Sequence, residues 1–109
     1  AIRDYIHVLD LAKGHVAALE YAVNHTGREI FNLGTGVGYS VLDVVRTFGK
    51  SVGKEIAYEM TSRRSGDVCK SVANSAKARH TLNWSPKFNL KEMCEDAWRW
   101  HSKNPKGYR

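Results

Sequence analysis

Arg63 and Arg64 stand four and three residues before Asp67, in the run Arg63-Arg64-Ser65-Gly66-Asp67-Val68-Cys69-Lys70-Ser71. A guanidinium is a planar, permanently charged fork that grips phosphate through two parallel N–H bonds. A carboxylate nearby can orient such a fork, or accept hydrogen bonds from the hydroxyls of a sugar. The run follows a short alternating segment and precedes a helix, so it reads as a loop suited to phosphate chemistry. Paired surface arginines are also often no more than solvated charges, and the residues alone leave both readings open.

Other chemistry is thinner. Gly34-Thr35-Gly36-Val37-Gly38 lies between a strand-like run and a helix start, the setting of a dinucleotide fingerprint. That fingerprint needs Gly-x-Gly-x-x-Gly, and Tyr39 occupies the third glycine position. A nicotinamide site is therefore rejected there, and the glycines are read as a turn that lets backbone approach a neighbour closely. Cys69 and Cys94 form no Cys-x-x-Cys, and the five histidines show no ligand spacing. Neither a metal site nor a disulfide framework is expected, and a reducing compartment such as the cytoplasm fits.

The elements that position these residues must come from 109 residues, 42% apolar and 26% charged, which is globular composition in one small domain. The net charge of +6 invites an anionic partner, but the basic residues are scattered and no run of five like charges exists. A small basic nucleic-acid-binding module is the rival reading from another class, and the missing basic cluster counts against it. No apolar run has the roughly 18 residues of a membrane span. The chain opens on Ala1 and a strand-like run almost at once, so it reads as a piece of something longer.

Arg3–Leu9 is expected as a strand, with Asp10 capping a helix to about Asn24 and His15 on its apolar face as a core or interface histidine. Glu29–Leu33 and Glu55–Met60 read as further strands, and Ser71–Ala73 as a short one. Ser40 with Asp43, and Asn89 with Glu92, are capping-box pairs that open two helices. The first has Val41, Leu42, Val45, Phe48 and Val52 on its buried face, with Gly53 closing it. The second turns Leu90, Met93, Cys94, Ala97, Trp98 and His101 inward, and Trp98 and Trp100 are read as packing. Asn74 or Ser75 caps a short helix to Leu82, broken at Trp84-Ser85-Pro86, and Tyr108-Arg109 is a terminal stub. The sum is an α/β piece with too few strands for a stable sheet of its own.

Several segments together resemble the UDP-galactose 4-epimerases (UDP-glucose 4-epimerases) of the extended short-chain dehydrogenase/reductase group. They are Arg3-Asp4-Tyr5-Ile6-His7-Val8, Asp10-Leu11-Ala12, Gly14-His15, Phe31-Asn32-Leu33-Gly34-Thr35-Gly36 and Tyr39-Ser40-Val41-Leu42-Asp43-Val44. The series continues with Arg63-Arg64-Ser65-Gly66-Asp67-Val68, Leu82-Asn83-Trp84, Met93-Cys94-Glu95-Asp96 and Trp98-Arg99-Trp100 before Asn104-Pro105. Single motifs are shared among many nucleotide-sugar enzymes; the combination is specific to the epimerases. Ser65 departs from the family, in which glutamate is common at that position.

The resemblance implies the carboxy-terminal, UDP-sugar-binding part of an extended Rossmann-type protein, spanning residues 1–109, with the amino-terminal NAD-binding part absent. Elements within about residues 1–53, Val16, Leu19 and Val23 among them, would pack on that part. It implies an isomerase of galactose metabolism that uses NAD, works as a homodimer when full length, and binds neither nucleic acid nor membrane. The family's Tyr-x-x-x-Lys pair does not occur here, so the chain alone is expected to be inactive. By the same resemblance Arg3 and Arg64 meet the diphosphate, Asp67 the ribose hydroxyls, and Tyr5 and Val41 line the uridine pocket. Against these roles stand plainer ones: Arg3 paired with Asp4 or Asp10, Tyr5 as core, Asp67 capping a turn. Ser71 falls where relatives carry either a large tyrosine or a small cysteine beside the sugar's C2 substituent, and the small residue implies room for an N-acetyl group. Another nucleotide-sugar epimerase, dehydratase or decarboxylase of the same fold is the nearest alternative.

Overall fold

A computed structural model describes residues 1–108; Arg109, expected in a terminal stub, lies outside the described residues. The described residues form four helices: α1 (Val8–Val23), α2 (Val41–Val52), α3 (Ala76–Leu82) and α4 (Leu90–Lys103). Three two-residue strands, β1 (Ile2–Arg3), β2 (Tyr39–Ser40) and β3 (Lys70–Ser71), form a sheet in the order β2-β1-β3. β1 runs antiparallel to β2, with Arg3 opposite Tyr39, and parallel to β3, with Arg3 opposite Ser71.

The two helices signalled by capping boxes form where expected. Ser40 Oγ accepts from Asp43 N while the Asp43 carboxylate accepts from Ser40 N, so two amides lacking helical partners are satisfied reciprocally. Asn89 and Glu92 repeat the arrangement. Gly53 closes α2 with φ 81°, in the left-handed region that glycine enters without a Cβ clash. α2 packs on α4, with Phe48 and Trp98 edge to face at 6.3 Å between centroids. α1 packs on α3.

The buried apolar side chains among the described residues are Ala78 on α3, Trp84 just after it, and Leu90 and Cys94 on α4. Burial raises the Cys94 thiol pKa, and the charge of Glu95 adds to the effect. Polar ties also join α1 to the segment between α3 and α4. Asp10, 1% exposed, accepts from Lys87 N and Phe88 N, and its carbonyl accepts from the Trp84 indole N–H. A buried carboxylate is tolerable only with such donors.

Several expectations are corrected. Arg3–Leu9 is not one strand: pairing stops at Arg3 and helix begins at Val8. His7, not Asp10, caps α1, because its Nδ1 accepts from Leu9 N at 3.1 Å. A ring nitrogen that accepts carries no proton, so Nε2 holds it and donates to Asp96 at 2.9 Å. Asp10 sits inside the first turn, where its carboxylate is free to reach residues 87 and 88. Glu29–Leu33 and Glu55–Met60 are not strands, since neither finds a partner backbone. The expected short strand at Ser71–Ala73 is shifted, forming at Lys70–Ser71. His15 is not a core residue, being exposed with its Nδ1 tied to Leu11 O, and Val41, Ala97, His101 and Trp100 are exposed as well. No helix among the described residues is long and apolar enough to cross a membrane.

Candidate functional site

The loop from Arg63 to Cys69 is held by its own side chains. Gly66, at φ 84°, turns the backbone, and Arg63 folds back to donate to Asp67 O at 2.8 Å and to Cys69 Sγ at 3.1 Å. Arg63 is thus a brace for the loop. Arg64 points outward, and its Nε donates to Asp67 Oδ2 at 3.1 Å.

Arg3 arrives from β1, which hydrogen-bonding of Ile2 N to Cys69 O fixes beside this loop. One terminal nitrogen of Arg3 donates to Ile2 O and Val68 O, at 2.9 and 3.0 Å. The other lies 3.9 Å from Asp67 Oδ1, a charge contact rather than a hydrogen bond. Two guanidiniums 61 residues apart in the sequence therefore converge on one carboxylate. The terminal nitrogens of Arg64 have no hydrogen-bond partner among the described residues and remain free for an anion.

Val41, Arg64 and Asp67 line one cleft of about 640 Å³, together with Met60, Glu59 and Cys69. Arg3 and Ser71 line a second, of about 620 Å³, with Asp4, Phe31, Leu33 and Ala73. Arg3 links the two through its contact with Asp67, and Ser71 is its neighbour across the β1–β3 ladder. Tyr5 is half-buried and lines neither cleft, so it is not gathered with the others.

Sequence reasoning missed Asp4. Its carboxylate accepts from Thr35 N, Thr35 Oγ1, Gly36 N and Ala73 N, at 2.6–3.2 Å. Burial raises its pKa, but the hydrogen bonds from Thr35, Gly36 and Ala73 outweigh it and hold the carboxyl below its ordinary range. The glycine turn does approach something closely: a Cβ at Gly34 would fall 2.7 Å from Asp4 Oδ2 and collide with the Ala73 side chain. No spacing signals this hub, because its donors lie 31 to 69 residues away. Cys69 and Met60 were likewise not picked out as cleft walls.

The family model described as GDP-mannose 4,6 dehydratase matches residues 1–97. The UDP-glucose 4-epimerase of Bacillus subtilis (strain 168) is 54% identical over 108 residues, 99% of this chain and 32% of that protein. A UDP-glucose 4-epimerase from Bifidobacterium longum, crystallised with NAD+ and UDP, superposes with a TM-score of 0.87 at 41% identity, covering 99% of this chain and 32% of that one. A UDP-Glc/GlcNAc 4-epimerase from Campylobacter jejuni gives 0.80 at 35% identity, over 94% of this chain and 31% of that one. The chain spans about a third of the length of these relatives. The residues present do not fit NAD at the glycine turn, because the Thr35 and Gly36 amides that would cradle a pyrophosphate already donate to Asp4.

Proposed function

The chain belongs to the GDP-mannose 4,6 dehydratase family, and we propose that within it these residues are the UDP-sugar-binding portion of a UDP-glucose 4-epimerase. The observation that carries this reading is the convergence of Arg3 and Arg64 on Asp67. Arg64 offers the free edge of its fork to the diphosphate, Arg3 turns its loosely held nitrogen to the same group, and Asp67 accepts the ribose hydroxyls. Val41 forms the apolar wall against the uracil; Tyr5, outside both clefts, reaches uridine only if the loop around it adjusts on binding. A double-negative diphosphate in a partly dry cleft calls for two such donors.

In the whole enzyme NAD is held outside these residues, the protein works as a homodimer, and the hydride chemistry belongs to groups this chain lacks. No tyrosine is followed four places later by lysine, so the chain alone turns over no sugar. A reducing, cytoplasmic setting suits its two unpaired cysteines. The matching family model is named for a dehydratase, which keeps dehydration of a nucleotide sugar as the second reading; a substrate panel on the full-length protein separates the two.

Calorimetric titration of the chain with UDP and UDP-glucose tests the site. Binding is expected, weakened roughly 10- to 100-fold by Arg64→Ala, as for loss of a charge-assisted bond. Equal UDP affinity in the variant, or none in the parent, would sink the reading.

Ser71 makes a sharper claim. It is exposed at the cleft that Arg3 also lines, and its small side chain leaves room for an acetamido group. Ser71→Tyr in the full-length enzyme should abolish turnover of UDP-N-acetylglucosamine while UDP-galactose is still converted. N-acetyl turnover that survives the substitution removes Ser71 from that role.

A further inference from the structure

Resting on the reading of Arg3, Arg64 and Asp67 as one ligand site, we propose that Asp67 makes the arginine pair selective for a diphosphate that carries a diol, by turning away plain anions. The two carboxylate oxygens face different forks, Oδ2 toward Arg64 at 3.1 Å and Oδ1 toward Arg3 at 3.9 Å. Any anion reaching for both guanidiniums comes up against a negative charge already lying between them. The Asp67 side chain is only about one-third exposed, so water does not fully screen that repulsion.

The same carboxylate is under-used as an acceptor. An ionised carboxylate has about four lone-pair positions, and among the described residues the Asp67 side chain accepts one hydrogen bond, from Arg64 Nε. A ligand that brings hydroxyl donors along with its phosphates fills the vacant positions and converts the repulsive group into an attractive one. Pyrophosphate, which near neutral pH has little but acceptors to offer, meets the repulsion uncompensated. Discrimination of this kind comes from a penalty placed on the wrong ligand as much as from contacts to the right one.

The loop geometry allows a clean test, because Asp67 is positioned through its backbone. Arg63 holds Asp67 O, and Gly66 makes the turn, so the carboxylate can be neutralised without releasing the loop. Asp67→Asn keeps the size of the side chain and removes the charge. Glu20→Gln, on the exposed side of α1, makes the same change in net charge away from both clefts.

Parent, Asp67→Asn and Glu20→Gln are titrated with UDP and with inorganic pyrophosphate, after thermal melts establish that each is folded. Asp67→Asn is expected to bind pyrophosphate roughly tenfold more tightly and UDP more weakly, while Glu20→Gln shifts neither by more than about twofold. Pyrophosphate affinity that is unchanged or lower in Asp67→Asn, or raised equally in Glu20→Gln, overturns the proposal. A gain for pyrophosphate without a loss for UDP upholds the exclusion of plain anions and removes Asp67 from ribose recognition, so the two readings fail separately.

Discussion

Asp4→Ala should lower the unfolding free energy by about 3 kcal/mol, a large part of the roughly 5–15 kcal/mol that holds a domain folded. The carboxylate accepts from three backbone amides of the glycine turn and the segment after β3, and from the Thr35 hydroxyl, which also reaches Val37 O at 3.3 Å. Alanine leaves those amides facing one another with no acceptor. Asp4→Asn separates acceptance from size, since its amide presents donors where only acceptors fit, and it too should be strongly destabilising. Urea unfolding of the three proteins checks this; an asparagine variant as stable as the parent would show that the hub is only space filling.

The same carboxylate sets a pH dependence of known sign. Its pKa is depressed in the folded chain, so its stabilisation is complete above the ordinary aspartate value of about 3.9 and is lost as pH falls through the lower folded value. The stability difference between parent and Asp4→Asn should therefore be constant near neutrality and shrink below about pH 4. A gap that widens in acid contradicts the hydrogen-bonded carboxylate.

Trp84→Ala is expected to cost about 3–5 kcal/mol, the range for removing a large aromatic from a packed core. Trp84 is 5% exposed, is one of the buried apolar residues with Ala78, Leu90 and Cys94, and ties its indole N–H to Asp10 O at 2.9 Å. It is the point at which the apolar core and the polar latch on α1 meet. Trp84→Phe keeps most of the ring and forfeits the tie, for a loss nearer 1 kcal/mol from the bond. Equal midpoints for the phenylalanine and alanine variants in chemical unfolding would mean that the hydrogen bond, not the packing, dominates.

What the sequence made legible is local. The boxes at Ser40/Asp43 and Asn89/Glu92 each act within one helical turn, and Gly53 ends α2 by its own conformational freedom, so all could be read without knowing the fold. Arg64 and Asp67 were legible for the same reason, being three residues apart. Strands are a different matter, because alternation records a half-buried face but not a partner. Glu55–Met60 alternates well, yet Tyr58 and Met60 are 61% and 79% exposed, with no neighbouring backbone to pair. The cap at His7 was hidden because imidazole seldom serves there, and Asp10, the better-looking cap, is claimed by residues 87 and 88. The hub at Asp4 and the link from Arg3 to Asp67 join residues far apart in the chain, and no local pattern encodes such meetings.

The same distances have a kinetic meaning. β1 at residues 2–3 pairs with β3 at residues 70–71, α2 waits for α4, and the Asp10 carboxylate finds its donors only at residues 87 and 88. Long loops must close before any of these contacts repays the entropy lost, which makes for a high contact order and slow folding. During synthesis, moreover, Leu90 and Cys94 are among the last core residues to leave the ribosome. Until α4 emerges, α2 lacks the helix it packs on and Trp84 lacks Leu90 and Cys94 as fellow core residues.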